Sequence, residues 1–403
     1  MELWYNWGIG LLKWARAAED PEKRHHMFEQ ASEKLGLAAE AEPENPEVWY
    51  SWGTALLEWA GFCFNERQKQ KLLVEASEKF EQAVSLCPML AMAWANLASA
   101  IAELAEIVES NKDRLELLEL ANEKYQQALD ANPDIADNWY NWGTLCLTMA
   151  ENANDQKNRV NYLKAAAQHY EKAVALNPER IDSWYNWGLS LAFAAEMVSD
   201  RSEKVDLVTL AAEKFEQAVK LDETDANNWN NWGAIYNGWT QLVDTNEEKC
   251  QLFEKASEKF ERASELDTTN TQALYNWGTA LSDWAHLVDD LQLKNKLLMQ
   301  ASKNYQCATE IDPTLTQAWY NWGNTLSDWA EIAEDPVDQV QRLTDACEKF
   351  SKTTMLDSEQ MKAWHNLGLA LNRLAALTTD PDMKSLFLQQ AREQFAKAES
   401  LAI

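Results

Sequence analysis

Apolar positions along this chain recur with two spacings at once. The short one is helical: Trp49, Trp52, Leu56 and Trp59 stand at i, i+3, i+7 and i+10, which is one face of an α-helix. Pro46 suits the first turn of that helix. A second stripe follows, made of Leu72, Leu73, Ala76, Phe80 and Ala83. It predicts a second helix ending near Leu86, where Pro88 stops it. The long spacing is 45 residues, kept without insertion or deletion. A first anchor falls at Trp4, Trp49, Trp94, Trp139, Trp184, Trp229, Leu274, Trp319 and Trp364. A second falls at Trp7, Trp52, Leu97, Trp142, Trp187, Trp232, Trp277, Trp322 and Leu367.

Fixed-period self-similarity marks a stacked array in which each unit packs on its neighbours. The expected domain organisation is one elongated array over 1–403, with no interior linker. Its units are about 1–43, 44–88, 89–133, 134–178, 179–223, 224–268, 269–313, 314–358 and 359–403. One position in each unit holds Asp20, Asn65, Ser110, Asp155, Asp200, Thr245, Asp290, Asp335 or Asp380. Each is a good N-cap for the second helix, and Pro21, Pro336 and Pro381 follow at the first helical position. The first helix (helix A) is expected to run about 17 residues and the second (helix B) about 20. Glycine recurs inside helix A, at Gly53, Gly143, Gly323 and equivalent places, with Ala98 in the third copy. A recurrent cost of roughly 1 kcal/mol per glycine implies close approach of another helix. Ala76 and Ala83 are the expected counterparts.

The stretch Ala318-Trp319-Tyr320-Asn321-Trp322-Gly323-Asn324, with Ala76, Phe80, Ala83 and Pro88 at second-helix spacing, resembles the tetratricopeptide repeat (TPR) family. The resemblance covers the whole chain and departs from the family in two ways. Trp replaces the usual Leu at seven of nine second anchors. The unit is 45 residues instead of about 34, the excess lying between the Gly and the Ala. Eleven residues are close to three helical turns, so each helix gains about 8 Å while its apolar stripe stays in register. Trp14, Trp59, Trp239, Trp284 and Trp329 are expected to fill the added layer as core. The units also resemble, more distantly, the extended TPR-like units with a Trp-Gly pair of the plant-type mitochondrial import receptor. The implied fold class is all-α: an α-α superhelix (solenoid) of nine helix-turn-helix TPR-like repeats. About eighteen antiparallel helices, right-handed coiling and more than about 70% helix are expected.

Composition narrows the partners. A net charge of −29 is spread along the chain. Such a surface repels nucleic acid and anionic membranes, favours basic partners, and also keeps a long array soluble. Six cysteines (Cys63, Cys87, Cys146, Cys250, Cys307 and Cys347) have no CxxC spacing and no repeat position, which points to thiols in a reducing compartment. No signal peptide precedes Trp4, and the most apolar stretch, 86–101, is interrupted and too short for a bilayer. The expected setting is intracellular and soluble, in cytoplasm or an organelle interior such as stroma or matrix.

No phosphate loop, nucleophile elbow or metal spacing appears, so neither catalysis nor a cofactor is expected. His25, His26, His169, His286 and His365 read as surface or interface residues. Tyr5, Tyr50, Tyr140, Tyr185, Tyr275 and Tyr320 sit between the anchors, with Asn230 in that place in the sixth copy. The resemblance puts this position on the concave groove. Two roles are open: packing against the next helix A, or contacts for an extended peptide. The following Asn (Asn6, Asn96, Asn141, Asn186, Asn231, Asn276, Asn321, Asn366) is expected to bond neighbouring repeats. Further groove positions are Thr54, Ser99, Thr144, Thr279 and Asn324, then Asn237, Asp283 and Asp328, which make the later copies polar or acidic. The Lys of the chaperone-tail clamp found in some TPR proteins has no match here.

These features predict a non-catalytic scaffold or assembly factor binding a protein or peptide segment, basic in character, in the groove. The candidate contacts are Tyr140, Tyr185, Asn230, Asn237, Tyr275, Asp283, Tyr320, Asn324 and Asp328. A bridging subunit of a large complex, or an organelle import receptor or adaptor, is the alternative. Apolar stripes persist in the first helix (Trp4, Trp7, Leu11, Trp14) and the last (Phe387, Leu388, Ala391, Phe395, Ala398). They predict covered ends, for instance by end-to-end self-association.

Overall fold

A computed structural model describes residues 2–401. Met1, Ala402 and Ile403 lie outside them. Contacts divide the chain into two compact units, Met1–Asp200 and Arg201–Ile403. The first holds α1 (Glu2–Ala17), α2 (Pro21–Ala41), α3 (Pro46–Gly61), α4 (Glu66–Leu86), α5 (Ala91–Ile107), α6 (Asn111–Ala131), α7 (Ala136–Asn152), α8 (Gln156–Leu176) and α9 (Ile181–Met197). The second holds α10 (Arg201–Leu221), α11 (Ala226–Trp239), α12 (Asn246–Leu266), α13 (Thr271–Leu287), α14 (Leu291–Ile311), α15 (Thr316–Glu331), α16 (Pro336–Leu356), α17 (Met361–Leu377) and α18 (Pro381–Ser400). Odd-numbered helices are helix A of each copy and even-numbered ones helix B. The fold is all-α, 84% helical, and no strand occurs among the described residues.

Helix ends follow the sequence closely. Asp20, Asn65, Ser110, Asp155, Thr245, Asp290, Asp335 and Asp380 each accept a bond from a backbone N–H of the first turn of helix B. The C-terminal carbonyls of helix A are also met by side chains. Arg24 donates to the Ala18 carbonyl, Arg114 to Ala105 and Val108, and Arg159 to Ala150. A cation there also opposes the negative end of the helix dipole. Only α11 is cut short, with a 3₁₀ turn at Thr240–Leu242 after it.

The glycine reading needs correction. A Cβ at Gly53 would lie 2.7 Å from the Phe80 ring, and one at Gly323 2.6 Å from Phe350. Tyr170, Phe260, Tyr305 and Phe395 stand in the same way over Gly143, Gly233, Gly278 and Gly368. The counterpart in these copies is thus the aromatic ring of the copy's own helix B, with Leu35 in its place over Gly8, and not Ala76 or Ala83. These rings form the core: Phe80, Tyr170, Phe215, Phe260, Tyr305 and Phe350 are fully buried.

The tryptophans also differ from expectation. Trp142, Trp187, Trp232 and Trp322 are buried, but the first anchors are half-buried. Trp49, Trp94, Trp139, Trp184, Trp229, Trp319 and Trp364 each donate the indole N–H to a carbonyl six residues earlier, at 2.7–3.1 Å. They therefore clasp the turn that enters their helix. In several copies a helix-B lysine lies over the anchor rings, as Lys79 over Trp52 at 4.6 Å and Lys349 over Trp322 at 4.3 Å. The added layer is no sealed core. Trp14 is 66% exposed, and Trp59, Trp239, Trp284 and Trp329 are half-buried. Indoles carry a polar edge that can find a partner at a rim, as it does for two of them, whereas Trp284 Nε1 is buried without one. Trp59 donates to His25 Nδ1 and Trp329 to Asn295 Oδ1.

All six cysteines are free. In α18, Ala391 and Ala398 are buried and Leu388 is exposed. In α1, Leu11 is buried and Trp7 exposed.

Candidate functional site

The Tyr and Asn between the anchors form rungs from one helix A to the next. Asn186 Nδ2 donates to the Tyr140 hydroxyl at 3.2 Å, Asn321 to Tyr275 at 3.3 Å, and Asn366 to Tyr320 at 3.1 Å. Where the pair is replaced the rung persists: Tyr5 bonds Ser51, and Asn276 donates to Asn230 Oδ1 at 3.0 Å. The tyrosine rings lean on helix-B aromatics, Tyr140 on Tyr170, Tyr275 on Tyr305 and Tyr320 on Phe350, with centroids 5.6–6.1 Å apart. Over Tyr140 the Arg180 guanidinium lies 3.6 Å from the ring centroid. These tyrosines therefore reach the next helix A through the hydroxyl while their rings pack on helix B of their own copy, and each of these hydroxyls is already engaged.

In the second unit, α13, α15 and α17 line a cleft of about 400 Å³, with Tyr305 and Phe350 beneath. Three of the expected contacts, Asp283, Asn324 and Asp328, meet there. Tyr275 and Tyr320 join them through Asn321 and Asn366, which line the same cleft. Tyr140 and Tyr185 belong to the other unit. Asn230 is 93% removed from solvent (7% exposed) within its rung. Asn237 is half-buried beside the shortened end of α11, with a buried Oδ1 that has no protein partner.

Within the cleft, charges pair across copies. His286 Nε2 lies 3.2 Å from Asp328 Oδ2, and its Nδ1 lies 2.8 Å from the Ser282 carbonyl. Both nitrogens can donate only if the ring is an imidazolium. The bond to Asp328 accordingly raises its pKa to about 9, against partial burial. Arg373 Nη1 meets Glu331 Oε1 at 3.0 Å, and Asn366 donates to Asn324 Oδ1 at 2.8 Å. Asp283 has no ion-pair or hydrogen-bond partner among the described residues. Its surface is open to water, yet helices crowd it, and this loss of hydration raises its carboxyl above the usual range.

His286, Glu331 and Arg373 are functional candidates that sequence reasoning missed. The signal was present as a spacing. Partners 42 residues apart bond between successive helix A segments at Arg16–Glu58, Thr54–Asn96, His286–Asp328, Asn324–Asn366 and Glu331–Arg373. No group that could hold a metal ion occurs among the described residues. Among the described residues, no helix is long and apolar enough to cross a membrane.

Helix pairs at a 45-residue period, N-capped at helix B and glycine-notched in helix A, define a TPR-type solenoid, a class that binds protein or peptide partners. More narrowly, the chain belongs to the family of the plant-specific mitochondrial import receptor subunit TOM20, whose model matches at 22–136, 113–225 and 216–321, well over half of the chain. No curated protein matches. Among solved structures, the C-terminal part of a TPR repeat-containing protein from Cytophaga hutchinsonii has 16% identity and a TM-score of 0.50. The match covers 77% of this chain and 99% of that one. YrrB, described as a TPR protein with an unusual peptide-binding site, has 21% identity and a TM-score of 0.40, covering 60% and 97%. The Thermus thermophilus TPR protein TTC0263 has 15% identity and a TM-score of 0.35, covering 57% and 98%. At these identities the likeness concerns the fold alone.

Proposed function

We propose that this protein is a non-catalytic scaffold or assembly factor that binds an extended partner segment along its helix-A faces. The reading takes 1–403 as one array of nine repeats, as the unbroken period supports. The carrying observation is the polar cleft on α13, α15 and α17, where Asp283, Asn324 and Asp328 converge. Tyr275 and Tyr320 brace its walls, and Tyr140, Tyr185, Asn230 and Asn237 would extend the contact surface. A basic segment suits the surplus acid of both cleft and chain. The family match favours a second reading, an import receptor or adaptor working at an organelle. A bridging subunit would instead use its outer faces or ends, with stacked copies as one form of end contact.

Photo-crosslinking separates these roles. A crosslinking residue at Ser327, in the cleft, is compared with one at Gln306, exposed on α14. Capture of the same peptide segments from Ser327 alone is expected. Capture from Gln306 alone would replace the groove reading with the bridging one.

A further inference from the structure

The charges of the cleft do not cancel, and the remainder falls on one atom pair. Five ionic side chains line it: Asp283, His286, Asp328, Glu331 and Arg373. Two acids are satisfied, Asp328 by His286 and Glu331 by Arg373. The Asp283 carboxylate is left over on the concave wall, exposed, with no hydrogen bond or ion pair among the described residues and only the charge of His286, already bonded to Asp328, near it. An anionic ligand is disfavoured, since both cations are engaged and the sum is negative. The nearby amides offer neutral hydrogen-bonding groups: Asn324 uses its Oδ1 to accept from Asn366, which leaves its Nδ2 as a donor.

We infer that this cleft is an anchoring site for one arginine or lysine side chain of an extended peptide, with Asp283 as its counter-charge and the Asn324 and Asn366 amides holding the adjoining backbone. The inference rests on the groove reading above and names what the groove selects. Size agrees, because about 400 Å³ admits a long side chain and its flanking peptide but no folded element. The crowded carboxyl of Asp283 gains in the same direction, since a bound cation restores what it has lost in hydration. Most of the wall comes from 324–373, beyond the last residue matched by the family model, so the site is a feature of this chain's later copies.

The test uses the full chain and capped peptides Ac-Gly-Ser-Gly-Ser-X-Ser-Gly-Ser-Gly-NH2 with X as Arg, Lys, Gln or Glu. Calorimetry is read beside the side-chain amide signals of Asn324 and Asn366. The Arg and Lys peptides are expected to bind and to shift those signals. Asp283→Asn should weaken them about tenfold, the size of one charge-assisted hydrogen bond, and leave the Gln peptide unchanged. Glu334→Gln, an exposed acid outside the cleft, should change nothing. Equal binding of the Gln and Arg peptides, no binding of any at millimolar concentration, or indifference to Asp283→Asn would each overturn the proposal. Methylguanidinium binding as tightly as the Arg peptide would overturn the peptide assignment. An array of unrelated 15-residue peptides keeps the two readings apart. Peptides that crosslink to helix-A faces without preferring arginine sink this site alone, whereas no groove binder of any composition sinks the scaffold reading too.

Discussion

Gly323 sets the spacing of a helix pair by one missing atom. The fully buried Phe350 ring crowds the place of its Cβ, with ring atoms 2.6–3.0 Å away. Gly323→Ala should therefore overpack the core at a cost of about 1–3 kcal/mol in urea melts, and Phe350→Leu in the same chain should recover part of it. Gly10 makes the control, because nothing lies within 4 Å of its Cβ position. Gly10→Ala should be neutral or stabilise by about 0.5–1 kcal/mol. Equal losses at both sites would refute the notch. His169 is a second single-residue case. It takes the place that Lys79 and Lys349 hold elsewhere and stacks on Trp142 with centroids 3.9 Å apart. Burial lowers its pKa from 6.5 to about 4. The unfolded chain then takes up the proton first, so this contribution to stability is present above about pH 6.5 and is lost as pH falls toward 4. The loss is on the order of 2–3 kcal/mol. His169→Lys should remove that part of the pH dependence; melts at pH 7 and 4.5 that fall equally in both proteins would show the acid loss to arise elsewhere.

At the scale of elements, the clasp joins a turn to the helix that follows it. Trp319 donates to the Pro313 carbonyl at 3.0 Å across the turn between α14 and α15. Trp319→Phe keeps the ring and removes the donor, and should cost about 0.5–1.5 kcal/mol with faster amide exchange confined to that turn. Exchange that rises evenly through α15 would point to lost packing instead. Helix existence, length and N-caps were legible in the sequence because they depend on local chemistry: a capping oxygen, a proline, an apolar stripe. Contacts between helices were less so. The stripe places Gly53 on the buried face but does not say that Phe80, rather than Ala76 or Ala83, meets it. Trp59 and Trp329 read as core by hydrophobicity, yet an indole N–H needs a partner, and His25 and Asn295 supply one at the rim. Asp283 and Asp328 were readable as groove acids from their repeat position. The pairing of Asp328 with His286 was not, because a spacing of 42 becomes visible only when helix A segments stand side by side.

At the scale of the whole molecule, 65 acidic residues against 36 basic ones leave −29. Much of this charge lies on exposed helix faces whose few partners are one helical turn away, such as Lys71 with Glu75 and Lys112 with Glu116. Exposed pairs of this kind contribute little, so the folded state carries net self-repulsion. Salt should then act with opposite signs on two measurements. Raising NaCl from about 20 to 300 mM shortens the screening length from roughly 20 Å to 6 Å and relieves the repulsion, so Tm should rise by several degrees. The same change should weaken binding of an arginine peptide to the cleft, because that attraction is screened too. KCl should match NaCl, since screening depends on ionic strength and not on the ion. A Tm that falls with salt would mean that favourable surface pairs outweigh the repulsion. Peptide affinity that ignores salt would mean that the partner is held by apolar contact, and the charge would then serve solubility alone.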